Sequence, residues 1–204
     1  MSSPPVVWRG RTMASRSAER RELLLAAAYD LLGTEGAAAT TMRAVCRRAG
    51  LSLRYFYESF ADRDALLVEV HDRITHELVE AVTAALMASR DAEMDRLRGI
   101  FDAATRWFAD DPRRGRILFR ETLADDTLRA HGATAVPAFV ALVATQLEPH
   151  QTEAVSPDRL ELAIRSLSGA LVALFLDWLE GSLDNSREDI VEYAAQLSAA
   201  ILQL

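Results

Sequence analysis

Arg54, Tyr55 and Tyr57 crowd one short run of the chain, inside the segment TMRAVCRRAGLSLRYFYESF from Thr41 to Phe60. A guanidinium fork and phenolic hydroxyls on the first turns of a helix hydrogen-bond phosphate oxygens and base edges, and they break no bonds. The chemistry on offer is recognition of nucleic acid. Arg43 and Leu53 flank these groups, Thr41 and Ser52 add hydroxyls suited to phosphate, and Arg63 adds a fork that binds it in two directions. Together these residues form the candidate DNA-contacting set. The competing description is a solvated, arginine-capped helix.

The histidines offer less. His71 and His76 are five apart on one helical pattern, which turns them to different faces. Asp72, His76 and Glu80 share a face at i, i+4 and i+8, and that spacing reads as a solvated polar face rather than a metal site. The chain shows no two-histidine metal motif, no Gly-rich phosphate loop, no exposed Cys–His pair and no nucleophile elbow. The sequence therefore predicts no catalytic residue, no metal and no cofactor, and no enzyme.

The elements that must present the recognition set are two short helices. Thr41 caps the first, and Val45, Cys46 and Ala49 give it an apolar stripe. Gly50 supplies a left-handed C′ residue to end it. Ser52 then caps a second helix beginning Leu53-Arg54-Tyr55, with Phe56 and Phe60 spaced i to i+4 toward a core. Helix, Gly-containing turn and second helix make a helix-turn-helix.

Charge follows the same division. The chain of 204 residues carries a net −7, which at first argues against nucleic acid. Residues 1–63, however, hold ten arginines and six acids, a net +4, and residues 64–204 hold thirteen and twenty-four, a net −11. The cationic surface is on the head, and an acidic body stays off the duplex. Every basic residue other than histidine is arginine in both halves, a pattern that points to base composition rather than function.

The head resembles the TetR family of bacterial transcriptional regulators over about residues 17–68. The family's first helix corresponds to Arg20 to Leu32, in the run RRELLLAAAYDLLGTEG that closes at Gly36. Its central signature corresponds to Thr41, Val45, Cys46, Ala49, Gly50, Leu51 and Ser52, and its ending to Tyr57, Phe60, Arg63, Asp64 and Leu66. The chain departs from the pattern at Cys46 in place of a small residue, Ser59 in place of a common His, Glu58 in place of a neutral or basic group, and Arg63 in place of Lys. Glu58 would repel phosphate unless it faces a cytosine amino group or turns away. These departures bear on which operator is bound, not on the mode of binding.

Residues 1–16 are expected to be a flexible arm containing Pro4 and Pro5, residues 17–62 the DNA-binding domain, and residues 63–204 the ligand-binding and dimerisation domain. Two readings stand for the arm: Arg9, Arg11 and Arg16 lie along the minor groove, or translation begins at Met13. The arm lacks the apolar core of a secretory leader, and charges interrupt the longest apolar runs, so no membrane span is expected. Cys46 is the only cysteine, excluding an intrachain disulfide and fitting a reducing cytoplasm, and its place on an apolar stripe predicts an inert buried thiol.

The rest of the chain reads as helix, near 63–88, 91–109, 112–122, 135–150, 157–181 and 187–203, with Asp125 to Ala133 the least ordered internal piece. Caps are expected at Asp62, Asp91, Asp111 before Pro112, Ser156 before Pro157, and Ser186 with Asp189. With three in the head, the fold class is all-α with about nine helices, the number the resemblance implies. The resemblance also implies a homodimer. Gly169, Ala170 and Ala173 in one helix and Val191, Ala194, Leu197 and Ile201 in the last are the candidate interface, as part of a four-helix pairing. The alternative is that both helices complete a monomer core.

For a ligand, the aromatic set Phe101, Trp107, Phe108, Phe119, Phe139, Phe175 and Trp178 is expected to leave an apolar cavity, with Glu121, and also Arg120 and Thr105, near enough to orient a guest. The whole reads as a ligand-responsive repressor binding a palindromic double-stranded DNA operator as a homodimer, released by an apolar or amphipathic small molecule. A DNA-organising protein with the same head and no ligand is the alternative, and a helical enzyme a third.

Overall fold

The computed structural model describes residues 13–88, 92–145 and 156–202, and among them every regular element is helical. The chain divides into two compact units, a head up to Val70 and a body from His71, so the division falls inside a helix rather than before it.

In the head, α1 (Met13–Thr34) begins earlier than the Arg20 start expected, and α2 (Met42–Ala49) and α3 (Leu53–Ser59) follow. α1 turns Leu24, Leu25, Ala28, Leu31 and Leu32 into the core at helical spacing. Val45 and Phe56 meet them there fully buried, with Phe60 almost so. Thr41 caps α2 by accepting from the Ala44 amide at 3.2 Å. Gly50 ends it at φ 66°, a left-handed conformation that a side chain would resist. Ser52 has the extended backbone of a cap, but its hydroxyl makes no capping hydrogen bond.

α4 (Arg63–Ala88) opens in the head, where Asp62 caps it by accepting from Ala65 N at 2.8 Å, and continues into the body. α5 (Glu93–Asp110) is entered through Ala92 with no side-chain cap; Asp91 lies outside the described residues. α6 runs in three pieces: Pro112–Gly115, a π-helical turn Arg116–Glu121, and Thr122–Ala124. Asp111 caps it, with Pro112 in the first turn where no amide is needed.

The expected loop from Asp125 to Ala133 is instead a helix. Asp125 accepts from the amides of Thr127 and Leu128, and Leu128 is fully buried, so one cap and one anchor hold Asp126–Gly132. Ala135–Ala144 follows after a break, and the two pieces are taken together as α7. The remainder of the helix expected to reach residue 150 lies outside the described residues.

α8 (Pro157–Leu179) begins at Ser156, whose side chain makes no capping bond, and stops at Gly181, φ 75°. α9 (Arg187–Leu202) starts on a reciprocal box: Ser186 N donates to Asp189 at 3.2 Å, and Asp189 N donates to Ser186 Oγ at 3.1 Å. Counted this way the described residues form nine helices, as expected.

The body core is built on rings. Phe108 contacts Phe119 and Phe175 at 5.2 and 5.9 Å between centroids, and Phe119 lies parallel to Phe175 at 6.1 Å. α9 packs on α5 and α8, burying Ile190, Val191, Ala194, Ala195, Ser198, Ala199 and Leu202. Arg98 on α5 clasps Glu192 on α9 through Nε and Nη2, at 2.7 and 3.0 Å. That pair holds the Glu192 carboxyl below its ordinary range, with Gln196 donating to it as well.

Two helices, Asp126–Ala144 and Pro157–Leu179, are long and apolar enough to cross a membrane, although the charges that interrupt the longest apolar runs predict no span. Only 22% of the most apolar stretch of the second is buried within the chain.

Candidate DNA-binding face and internal cavity

Arg54 and Tyr57 are open members of the recognition set. The Arg54 side chain is 84% exposed, and Tyr57 is 58% exposed with its ring edge against Phe56. The i, i+4 spacing lets Arg54 Nε donate to Glu58 at 3.1 Å. Glu58 also pairs with Arg20 at 3.5 Å, so the acid that would repel phosphate is held between two arginines of its own head. Tyr55 is less free than its position in the sequence suggests. The Arg20 guanidinium lies 4.4 Å over its ring, leaving it half-buried, as Leu53 also is.

Arg63 differs from its expected place on a phosphate. Its Nε donates to the Thr40 carbonyl at 3.0 Å, its Nη2 to Ala37 at 2.7 Å, and its Nη1 to Asp64 at 3.1 Å. Those carbonyls belong to the bend between α1 and α2, where that of Ala37 also accepts from the Thr40 amide at 3.1 Å. Arg63 thus braces the turn that delivers α2. A short loop between two helices ahead of a signature cation could have signalled this in the sequence.

Arg43 is exposed on α2, as expected, and so is Arg47 one turn on, which the sequence reading passed over. Among the described residues neither makes an ion pair, whereas the adjacent Arg48 pairs with Asp30 and Glu35. Thr41 and Ser52 are exposed beside them. α2 and α3 therefore offer two unpaired cations, an open guanidinium and a phenol. Cys46 is buried, and burial pushes its thiol above the ordinary value, which keeps it out of the reactive thiolate form.

Within the body, a cavity of about 60 Å³ is lined by Phe108, Phe119, Phe139 and Phe175 together with Leu118, Val136 and Leu171. Four of the rings expected to touch a ligand converge there. Phe101 is fully buried behind Phe175 at 6.3 Å and does not line it. Trp107 is capped by Arg114, whose guanidinium sits 4.5 Å over the indole while donating to the Trp107 carbonyl at 2.7 Å. Trp178 is half-buried away from the cavity. Glu121 is buried against Arg116 Nε at 3.1 Å and is not among the residues lining the cavity. Arg120 reaches outward to Glu180, and Thr105 donates to its own helix at Phe101.

The cavity's polar group is one that sequence reasoning assigned to a helix face. His71 is 2% exposed and lines the cavity with Thr75 below it on α4. Burial, and then the neighbouring His131, push its pKa down, against a smaller opposing pull from Asp72, so the imidazole is neutral. Gly132 permits the approach of α7: a Cβ there would stand 2.7 Å from the Thr122 methyl and 3.2 Å from His71 Nε2. The π-turn of α6 supplies Leu118 and Phe119, and Thr122 Oγ1 donates to the Ile117 carbonyl five residues back at 3.0 Å.

The expected interface residues divide. Gly169 and Ala173 are exposed on α8 and line an open groove of about 580 Å³, and a Cβ on Gly169 would meet nothing within 4 Å. Ala170, Leu197 and Ile201 are half-buried. Val191 and Ala194 are consumed inside the chain against α5, because α9 turns its apolar stripe that way.

Residues 24–70 match the model of the bacterial regulatory proteins of the tetR family. An 83-residue stretch is 35% identical to the HTH-type transcriptional regulator BetI of Stenotrophomonas maltophilia, spanning 41% of this chain and 42% of that relative. The fold is similar to that of the fatty acid degradation regulator FadR from Bacillus halodurans, with TM-score 0.71, 15% identity, and 88% and 94% of the two chains covered. It is equally similar to a TetR-family regulator from a Rhodococcus species, with TM-score 0.71, 21% identity, and 90% and 99% covered. The head, over residues 24–70, thus matches the tetR family of bacterial regulatory proteins, and the fold of the chain is similar to that of solved TetR-family regulators.

Proposed function

We propose that the chain is a dimeric transcriptional repressor that binds operator DNA through α2 and α3 and releases it when a small molecule enters the body. The observation that carries this reading is the set of open groups on the head, Arg43, Arg47, Arg54 and Tyr57, in a chain whose excess acid lies elsewhere. Arg43 and Arg47 suit phosphates, and Arg54 and Tyr57 suit base edges. A homodimer placing two heads about one helical turn apart, ~34 Å, makes the operator a palindrome. The exposed small residues of α8, with an apolar helix left largely uncovered, support pairing through that face.

Mechanism is a population shift. α4 begins in the head and lines the body cavity with His71, Thr75, Leu78 and Val79. A ligand pressing on those turns favours a head spacing that no longer fits successive major grooves. The guest is an apolar or amphipathic small molecule. With no catalytic constellation required and a buried neutral thiol at Cys46, the reading is that of a non-enzymatic protein of the reducing cytoplasm.

Selection from random duplexes tests the first half. A palindrome should emerge, and Arg54→Ala should relax preference at one position of each half-site while leaving the dimer intact. Enrichment of no sequence at all would sink the repressor reading. The small cavity favours a second reading, a DNA-organising protein without an effector, since it is well below the ~150 Å³ of a cavity that binds benzene. Failure of every compound that binds the body to release selected DNA would leave that reading standing.

A further inference from the structure

We infer that His71, Asp72 and His131 form a binding site for a divalent first-row transition ion at the edge of the body cavity. The three side chains come from α4 and α7, and one ligand-capable atom from each lies within 4.8 Å of the other two. His131 Nε2 is hydrogen-bonded to Asp72 Oδ1, and the two imidazoles meet edge to face at 5.5 Å between centroids. Two imidazoles and one carboxylate are the donor set that binds zinc(II) and its neighbours in the series, at about 2.0–2.2 Å from each atom.

His71 is the observation that separates this cluster from an ordinary surface pair. Its side chain is 2% exposed, and Nε2 points at Gly132 with no hydrogen-bond partner among the described residues. Nδ1 has Thr75 Oγ1 at 3.5 Å. A buried imidazole whose outer nitrogen approaches a hydroxyl while its inner nitrogen stands unused is set up as a metal ligand, because the second contact fixes the ring. Asp72 and His131 reach the surface, which gives the ion a way in. Open coordination positions would face the cavity that His71 and Gly132 line, placing the one strong polar group beside an otherwise apolar space.

Cobalt(II) titration of the full-length protein, followed by its visible d–d absorption, tests the site. We expect one saturable ion per chain, displaced by zinc(II). His131→Ala and Asp72→Asn should each weaken it about tenfold or more, since both positions are accessible and their loss leaves the core intact. His76→Ala should leave binding unchanged, because His76 faces Glu80 on another side of α4. Operator binding and circular dichroism of each variant show that the fold survives. Absence of a saturable band, retention of the ion in His131→Ala, or equal loss in His76→Ala would each overturn the assignment.

Discussion

Arg63 and Arg47 carry the same charge and do different work. Arg63 spends its donors on the Ala37 and Thr40 carbonyls, whereas Arg47 is exposed and makes no ion pair among the described residues. Arg47→Ala should therefore weaken binding to every duplex alike and flatten the salt dependence by about one unit, with stability unchanged. Arg63→Ala should leave the slope of the salt plot near that of the parent and lower stability by about 1–3 kcal/mol, the usual worth of hydrogen bonds from a charged group. Denaturant melts and anisotropy titrations across a salt series measure both. An Arg63 variant with parental stability and a flattened slope would return that residue to the phosphate backbone. The type and spacing of these arginines were legible in the sequence. Which of them had partners was not, because Ala37 and Glu35 approach through the turn of the chain rather than along one helix.

At the scale of elements, caps and interfaces decide. Asp125 turns an apparent loop into a helix by accepting from two amides, so Asp125→Ala should cost about 1 kcal/mol and loosen Asp126–Gly132, seen as faster amide exchange there. Parental protection in that segment would mean that the burial of Leu128 alone holds it. α8 makes a second prediction. Its Ala173 lines an open groove in the single chain, so Ala173→Arg has room in a monomer and none in a close-packed pair. Sedimentation should show a folded monomer, and operator binding should fall with it, because an unpaired charge in an apolar interface costs several kcal/mol. A dimeric Ala173→Arg protein would place the pairing surface elsewhere.

For the whole molecule, the cavity sets the terms of sensing. At about 60 Å³ it admits no large guest as it stands, so a ligand must turn the rings that line it, with half-buried Phe139 the freest to move. Binding should raise stability by ~2.7 kcal/mol at a hundredfold excess over the dissociation constant, which a thermal-shift screen detects. Coupling is reciprocal, so saturating operator should weaken a true inducer by the factor by which the inducer weakens operator. A compound that binds equally well with and without DNA is a passenger, and its pocket is no sensor.

Local signals alone determined the helix-turn-helix. Thr41, Gly50 and the Phe56–Phe60 spacing act within a few residues, and each was in place without knowledge of the rest of the chain. The same holds for the Asp111–Pro112 start and the Ser186–Asp189 box, where cap and capped amide are neighbours in sequence. Only the tertiary structure decided which rings share a cavity, that the stripe of α9 faces α5, and that His131 comes to rest beside His71 and Asp72. Periodicity says that a face is apolar; it does not say what covers it. Two residues far apart in the chain become neighbours through packing between helices, and that packing depends on close approaches such as the one Gly132 allows.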